Sequence, residues 1–293
     1  MGRNSRIAIA ILCVCTAKTR AQTSAQPGDW SAVTSAIGRA GTVQPDGVMK
    51  YSFPRNDLTV SLDSVTLKPA LALGSWVAFK KLGDGNGMAM GDIVLTETEV
   101  SPVISALEER EVFQTAVHNH LLRESPRIVY VHIEARGNPE RIAAAIRGAL
   151  DLTGTPAPTT ASAPAAIDID TAGIRRTLGV AGKANGGVYQ VSVPRKETIR
   201  AGAEVVPTSM GVSTAINFQP IGNGRAAITG DFVMLDGEVN LVIRILREGQ
   251  IAITAVHSHM LGEEPRLYFM HFWAKGDAGT LAATLRRAID QLK

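Results

Sequence analysis

Residues 115–137 read TAVHNHLLRESPRIVYVHIEARG, and residues 254–276 read TAVHSHMLGEEPRLYFMHFWAKG. Aligned without a gap, 12 of these 23 positions are identical, so the chain contains one structural unit written twice. The offset persists outward: Gly91-Asp92 matches Gly230-Asp231, Glu99-Val100 matches Glu238-Val239, and Leu107 matches Leu246. Further upstream the alignment slips, yet Pro54-Arg55 still faces Pro194-Arg195. The two copies run over 30–152 and 168–292, each of ordinary domain size. Between them, residues 153–167 (TGTPAPTTASAPAAI) have a Pro/Ala/Thr linker composition without apolar periodicity.

Within a copy, the apolar pattern predicts an opening helix (Trp30–Ala40; Thr171–Val180), then strands such as Val188–Val193, Ala215–Gln219 and Ala226–Met234. The Asp-Gly and Asn-Gly pairs near Gly85 and Gly224 read as tight turns, because these residues tolerate positive φ. Neither is followed by the helix and Lys-Ser/Thr of a phosphate loop. A helix over Glu238–Arg247 carries Val239, Val242, Ile243 and Leu246 on one face. Two strands and a closing helix capped by Asp277 complete the unit. The expected fold class is α+β: two tandem homologous domains, each a mainly antiparallel sheet with packed helices.

The quoted segments also carry every histidine of the chain, as two triplets: His118, His120 and His132, and His257, His259 and His271. In a strand over 251–261, His257 and His259 share the odd face, and the strand from Arg266 puts His271 on its own odd face. A hairpin register that places His271 opposite His257 brings three imidazoles together, whereas a slip of one residue separates them. Three imidazoles suit Zn, Cu, Ni or Fe as divalent ions and leave a coordination position open. The competing reading is a pair of core histidine clusters hydrogen-bonded to carboxylates or backbone.

Glu124, Glu263, Asp92, Asp231, Glu99 and Glu238 are the nearby carboxylates in sequence, with Glu238 and Glu263 the candidate acid/base or ligand-contacting groups. Arg127 and Arg266 follow the turn prolines, where they either hold an anionic ligand or pair with the turn glutamates. No Ser–His–Asp pattern and no HExxH spacing occurs.

Arg3 and Arg6 precede an apolar run, Ile7–Ala17, and then Thr19-Arg20-Ala21, which reads as a secretory signal over residues 1–21 and predicts a periplasmic or secreted protein. The run is shorter than the roughly 20 residues of a transmembrane helix, and no such helix is expected in the mature chain. Cys13 and Cys15, the only cysteines, lie inside it, so a mature chain offers metals N and O ligands alone. Lipid anchoring at Cys15 is disfavoured, because Val14 is a poor match to the small residue such signals use. A net charge of +3 spread among acids argues against a nucleic-acid surface, leaving a metal ion or small ligand as partner.

The run Gly230-Asp231-Phe232, Glu238-Val239-Asn240, His257-Ser258-His259-Met260, Glu264-Pro265-Arg266 and His271-Phe272-Trp273-Ala274-Lys275-Gly276-Asp277 closely resembles the bacterial DUF1259 family, related to the mycobacterial LppY/LpqO lipoproteins. The resemblance covers nearly all of the mature chain as two copies. The first copy departs from it at Glu134, where the second has Trp273, and at Arg123-Glu124-Ser125. It implies an exported or envelope location and supplies no activity. Three functions therefore compete: a metal-binding protein for buffering, delivery or resistance, a metalloenzyme, and a non-metal ligand-binding module.

Overall fold

The computed structural model describes residues 2, 29–158 and 166–292. The signal-like segment, apart from Gly2, and the middle of the linker lie outside them.

The first copy comprises α1 (Ser31–Ile37), β1 (Thr42–Val43), β2 (Met49–Pro54), β3 (Ser61–Leu62), β4 (Val65–Thr66), α2 (Pro69–Ala72), β5 (Gly74–Lys81), β6 (Gly87–Thr96), α3 (Glu97–Glu108), β7 (Phe113–His118), β8 (Ile128–Gly137) and α4 (Pro139–Leu150). The second comprises α5 (Thr171–Leu178), β9 (Lys183–Asn185), β10 (Val188–Pro194), β11 (Arg200–Ala201), β12 (Glu204–Val205), a 3-10 turn (Thr208–Met210), β13 (Ser213–Pro220), β14 (Arg225–Met234), α6 (Asp236–Glu248), β15 (Ala252–His257), β16 (Glu263–Glu264), β17 (Tyr268–Asp277) and α7 (Ala278–Ile289). Each copy builds a six-stranded antiparallel sheet, ordered β1-β2-β5-β6-β8-β7 and β9-β10-β13-β14-β17-β15. The α+β reading and the duplication both hold.

Strand alternation decides which way each side chain faces. In β6, Ala89, Ile93 and Leu95 join the core under α1, α3 and α4, while Met88, Met90 and Val94 face away from it. In β17, Met270, Phe272 and Ala274 pack beneath the second copy's helices, while Phe269 and Trp273 face away. The outward faces do not meet solvent. Met88 and Met90 share one buried cluster with Val212, Val233 and Phe269, and Val94 and Tyr130 share another with Val188 and Trp273. The result is four layers, helices–sheet–sheet–helices, with two cores within the copies and two between them. At roughly 25 cal/mol per Å² of apolar surface, fully burying each such Met or Phe contributes about 2 kcal/mol, so the copies are joined by core packing and not by the linker alone.

Hydrogen bonds repeat the exchange. Each copy sends an insert (57–73 and 196–212) onto the other. Lys80 Nζ donates to the Val205 carbonyl at 2.8 Å, and its counterpart Gln219 donates from Nε2 to the Thr66 carbonyl at 2.8 Å. Arg136 holds the Ala201 carbonyl at 2.8 Å, and its counterpart Lys275 holds that of Asp63 at 2.5 Å. Trp273 adds a bond from Nε1 to Asp63 at 2.9 Å. The departure of the first copy at Glu134 thus falls in this docking surface, where Glu134 lies 3.4 Å from Arg136.

Asp277 caps α7 as expected, accepting the Thr280 N–H at 2.8 Å. The expected strand over 251–261 is corrected: β15 ends at His257, and the turn around 262–265 instead forms β16, an edge pairing with β11 of the insert. Glu263, fully buried, stabilises this excursion by accepting the Leu267 N–H at 2.9 Å.

Candidate metal centre

Asp92 in β6 pairs across the ladder with His132 in β8, and Asp231 in β14 with His271 in β17, all on the sheet faces turned toward the other copy. Their close approach depends on Gly91 and Gly230 just before the aspartates. A Cβ at Gly230 would fall 1.9 Å from the Ala215 carbonyl oxygen, and one at Gly91 would fall 2.6 Å from that of Trp76.

The register expected for the β15–β17 hairpin is also corrected. An irregularity between Ile253 and Ala255 shifts the ladder, so that His271 lies opposite Ala255 and His257 opposite Phe269. The shift is two residues, which preserves the face, and the first copy repeats it with His132 opposite Ala116. His120 and His259 fall just beyond the strands and are fixed otherwise. Thr254 donates its hydroxyl to the His120 carbonyl at 2.6 Å, and Thr115 donates to that of His259 at 2.5 Å, each threonine serving the other copy's histidine. The ring of His120 stacks on Tyr130, centroids 3.3 Å apart, and that of His259 on Phe269 at 3.5 Å.

The fold builds the two triplets that the sequence suggests and also presses them against each other. His259 stacks on His132 at 3.7 Å and His118 on its equivalent His257 at 3.9 Å, while the rings of His120 and His271 meet at 3.7 Å, tilted by 32°. His118 Nε2 lies 3.2 Å from His271 Nε2. These contacts exchange the copies in pairs, so six imidazoles and two carboxylates form a single centre about a local twofold. Among the described residues, two sets bring one donor atom per residue within 4.8 Å of one another: Asp231, His257, His259 and His271, and His118, His120 and His132.

Buried polar atoms are normally satisfied, yet here His118 Nδ1, His120 Nε2, His132 Nε2, both nitrogens of His257, His259 Nε2, Asp92 Oδ1 and Asp231 Oδ1 lack hydrogen-bond partners. His259 Nε2 sits 3.0 Å from Asp231 Oδ2 and His120 Nε2 3.4 Å from Asp92 Oδ2, close but not aligned for a bond. His271 Nδ1 lies 2.9 Å from the Gly230 carbonyl, which leaves its Nε2 turned toward His118.

Burial, with the charge of neighbouring imidazoles, holds the histidines below their ordinary range: His271 to about 4 and His118 to about 3. Burial alone brings His259 to about 3, and His120, His132 and His257 are likewise lowered, by burial first and then by neighbouring imidazoles. At neutral pH all six therefore present lone pairs, the form a metal requires. Both aspartates are pushed upward by burial, Asp92 also by the charge of Asp231. A cation between them would reverse that shift. The donor set fits an imidazole-rich site for Zn, Cu, Ni or Fe, with carboxylate oxygens beside it.

A model of the family described as "Domain of Unknown Function (DUF1259)" matches residues 31–152 and again 172–291. The chain belongs to the DUF1259 family. Comparison with curated proteins returns no match. Among solved structures, a trimeric bacterial microcompartment shell protein, PduB, is similar over 87% of this chain and 88% of its own, at 13% identity and a TM-score of 0.21. EtuB from Clostridium kluyveri is similar over 83% of this chain and 86% of its own, at 10% identity and a TM-score of 0.19.

In this DUF1259 chain the remaining sequence candidates fall outside the centre. Glu238 forms a two-pronged pair with buried Arg195, at 2.6 and 3.2 Å, and caps α6 by accepting the Leu235 N–H at 2.7 Å. Glu99 does the same with Arg55, at 2.8 and 3.0 Å, so Pro54-Arg55 and Pro194-Arg195 end β2 and β10 and each feeds a buried ion network. Glu263 lies 3.5 Å from Arg266 within the turn, and Arg266 also donates to Ser258 at 3.1 Å. Arg127 approaches Glu97 at 3.9 Å on the surface, while Glu124 accepts the Ile128 N–H. None of these glutamates and arginines lines the cleft of about 650 Å³ that reaches the centre, whose walls include Asp92, His120, His132, Asp231, His259 and His271. Lys50, Trp76 and Lys183, which also line it, carry no sequence signal that would have singled them out.

Proposed function

We propose that this protein is an exported metal-binding protein whose two repeats jointly hold a divalent transition metal, serving metal buffering, delivery or resistance outside the cytoplasm. One observation carries the reading: within each copy buried imidazole nitrogens, joined by Asp231 in the second, lie within 4.8 Å of one another, most lack a hydrogen-bond partner, and the two sets meet at His118 and His271. A satisfied core cluster would have paired them, since an orphaned buried polar atom costs about 1–3 kcal/mol. The export part rests on Arg3, Arg6 and the apolar run before Ala21, and on the envelope location that the resemblance implies. A second reading, a metal-dependent enzyme, is favoured by the cleft, since a wall holding four of the histidines and both aspartates gives a small molecule access to a bound ion.

The test is metal content by plasma mass spectrometry on protein purified without a His tag, beside the His257→Ala/His259→Ala variant. Retention of Zn, Cu, Ni or Fe by the parent and its loss in the variant is the expected result. A parent that is metal-free and takes up none of these ions would end the metal reading.

A further inference from the structure

The cleft is symmetric in position and asymmetric in chemistry. Ladder pairings make Lys50 the equivalent of Gln190, Thr42 of Lys183, and Trp76 of Ala215. In the second copy the polar position is occupied with structure: Gln190 Nε2 donates to the Ala70 carbonyl at 2.8 Å, and Asn217 beside it donates to that of Leu71 at 3.0 Å, pinning α2 of the first copy. In the first copy Ala78 replaces Asn217, and Lys50 has no such bond. Its ammonium lies over the Trp76 ring, 4.0 Å from the centroid, and Trp76 is itself set against Gly211 of the other copy's insert.

Among the described residues, neither Lys50 nor Lys183 makes an ion pair or a side-chain hydrogen bond, although both line the cleft and repel each other across it. Lys50 feels the charges of Asp46 and Asp92 without contacting either, so beside a second ammonium its only direct partner is a ring face. Burial and then Lys183 push Lys50 down to about 8, outweighing the opposite pull of Asp46 and Asp92.

We infer that the cleft binds a small anionic molecule, a carboxylate or phosphate, between Lys50 and Lys183 with its far side against the histidine centre. This inference rests on the proposed metal reading only for what lies on that far side. Divergence of the two copies serves it: one supplies the Lys50–Trp76 anion contact and the other closes the cleft with amides already committed to α2.

The experiment is calorimetric titration of the full chain, zinc-loaded and metal-free, with inorganic phosphate and separately with succinate. Zinc content is measured on the same samples. The parent is expected to bind one equivalent of one of these anions. Lys50→Gln, which installs the residue that the fold already accepts at position 190, should weaken binding about tenfold or more, with zinc content unchanged. Lys50→Arg should retain it. Which probe binds distinguishes phosphate from carboxylate. Failure of both anions on zinc-loaded protein, or equal binding by the parent, Lys50→Gln and Lys183→Thr, would overturn the inference while leaving the metal reading intact. A chain that takes no zinc yet binds the anion through Lys50 would defeat the metal reading alone.

Discussion

The two copies are most alike where they touch at the twofold and least alike a few residues away. At the centre His118/His257, His120/His259, His132/His271 and Asp92/Asp231 are identical in type and exchange contacts pairwise. At the cleft wall Lys50 stands where the other copy has Gln190, and Trp76 where it has Ala215. The difference teaches that the copies share one task at the histidines and divide another along the cleft. Each triplet brings its donors together within its own copy, and the contacts between His118 and His257, His120 and His271, and His132 and His259 join the two sets.

The sharpest way to break this comparison is to disable one copy. His118→Ala/His120→Ala should lower metal content as severely as His257→Ala/His259→Ala, although it leaves the Asp231, His257, His259 and His271 set untouched; retention of half the parent's metal would mean separate sites.

Acid gives the next largest effect. The six histidines are all held below the ordinary 6.5, so the stability that this confers is complete above about 6.5 and is lost as pH falls toward the folded values, about 3 for His118 and His259 and about 4 for His271. Each pH unit below 6.5 costs up to about 1.4 kcal/mol per histidine. The raised aspartates act with the opposite sign, since the folded state keeps their protons while the unfolded state releases them above about 4, but two cannot offset six. The thermal midpoint of metal-free protein should therefore drop steeply between pH 7 and 5, in one transition for both copies. Two transitions would show that the copies unfold independently.

Removing a buried cation is expected to act similarly in either copy. Arg195→Ala strands Glu238, and Arg55→Ala strands Glu99, each costing about 3–5 kcal/mol in chemical denaturation. Arg55→Ala should also loosen the start of the linker, because Glu99 accepts the Gly154 N–H at 2.8 Å. The smallest effect belongs to Trp273→Phe, which deletes the bond to Asp63 that Glu134 cannot mirror and should cost about 1 kcal/mol.

Much of this was legible in the sequence. Duplication, the α+β unit, the Asp277 cap and the shared face of each triplet follow from alternation, helical periodicity and capping chemistry, which are local. The ladder shift near Ile253 and the end of β15 at His257 were not, because an insert from elsewhere in the chain pairs with Glu263-Glu264 and draws the segment off the sheet. Nor was the contact between the triplets, which depends on how two sheets stack and not on the order of residues within either. Lys50 was invisible for the same reason: a single lysine on a short strand acquires meaning only beside Trp76 and Lys183.

The most direct measurement is anomalous X-ray diffraction from crystals of the metal-loaded chain, recorded at the absorption edge of the bound ion. One shared centre predicts an anomalous peak coordinated by histidines of both copies, with His118 or His120 and His257, His259 or His271 in the same coordination shell. Peaks confined to one triplet each, with no ligand crossing between copies, would contradict the account.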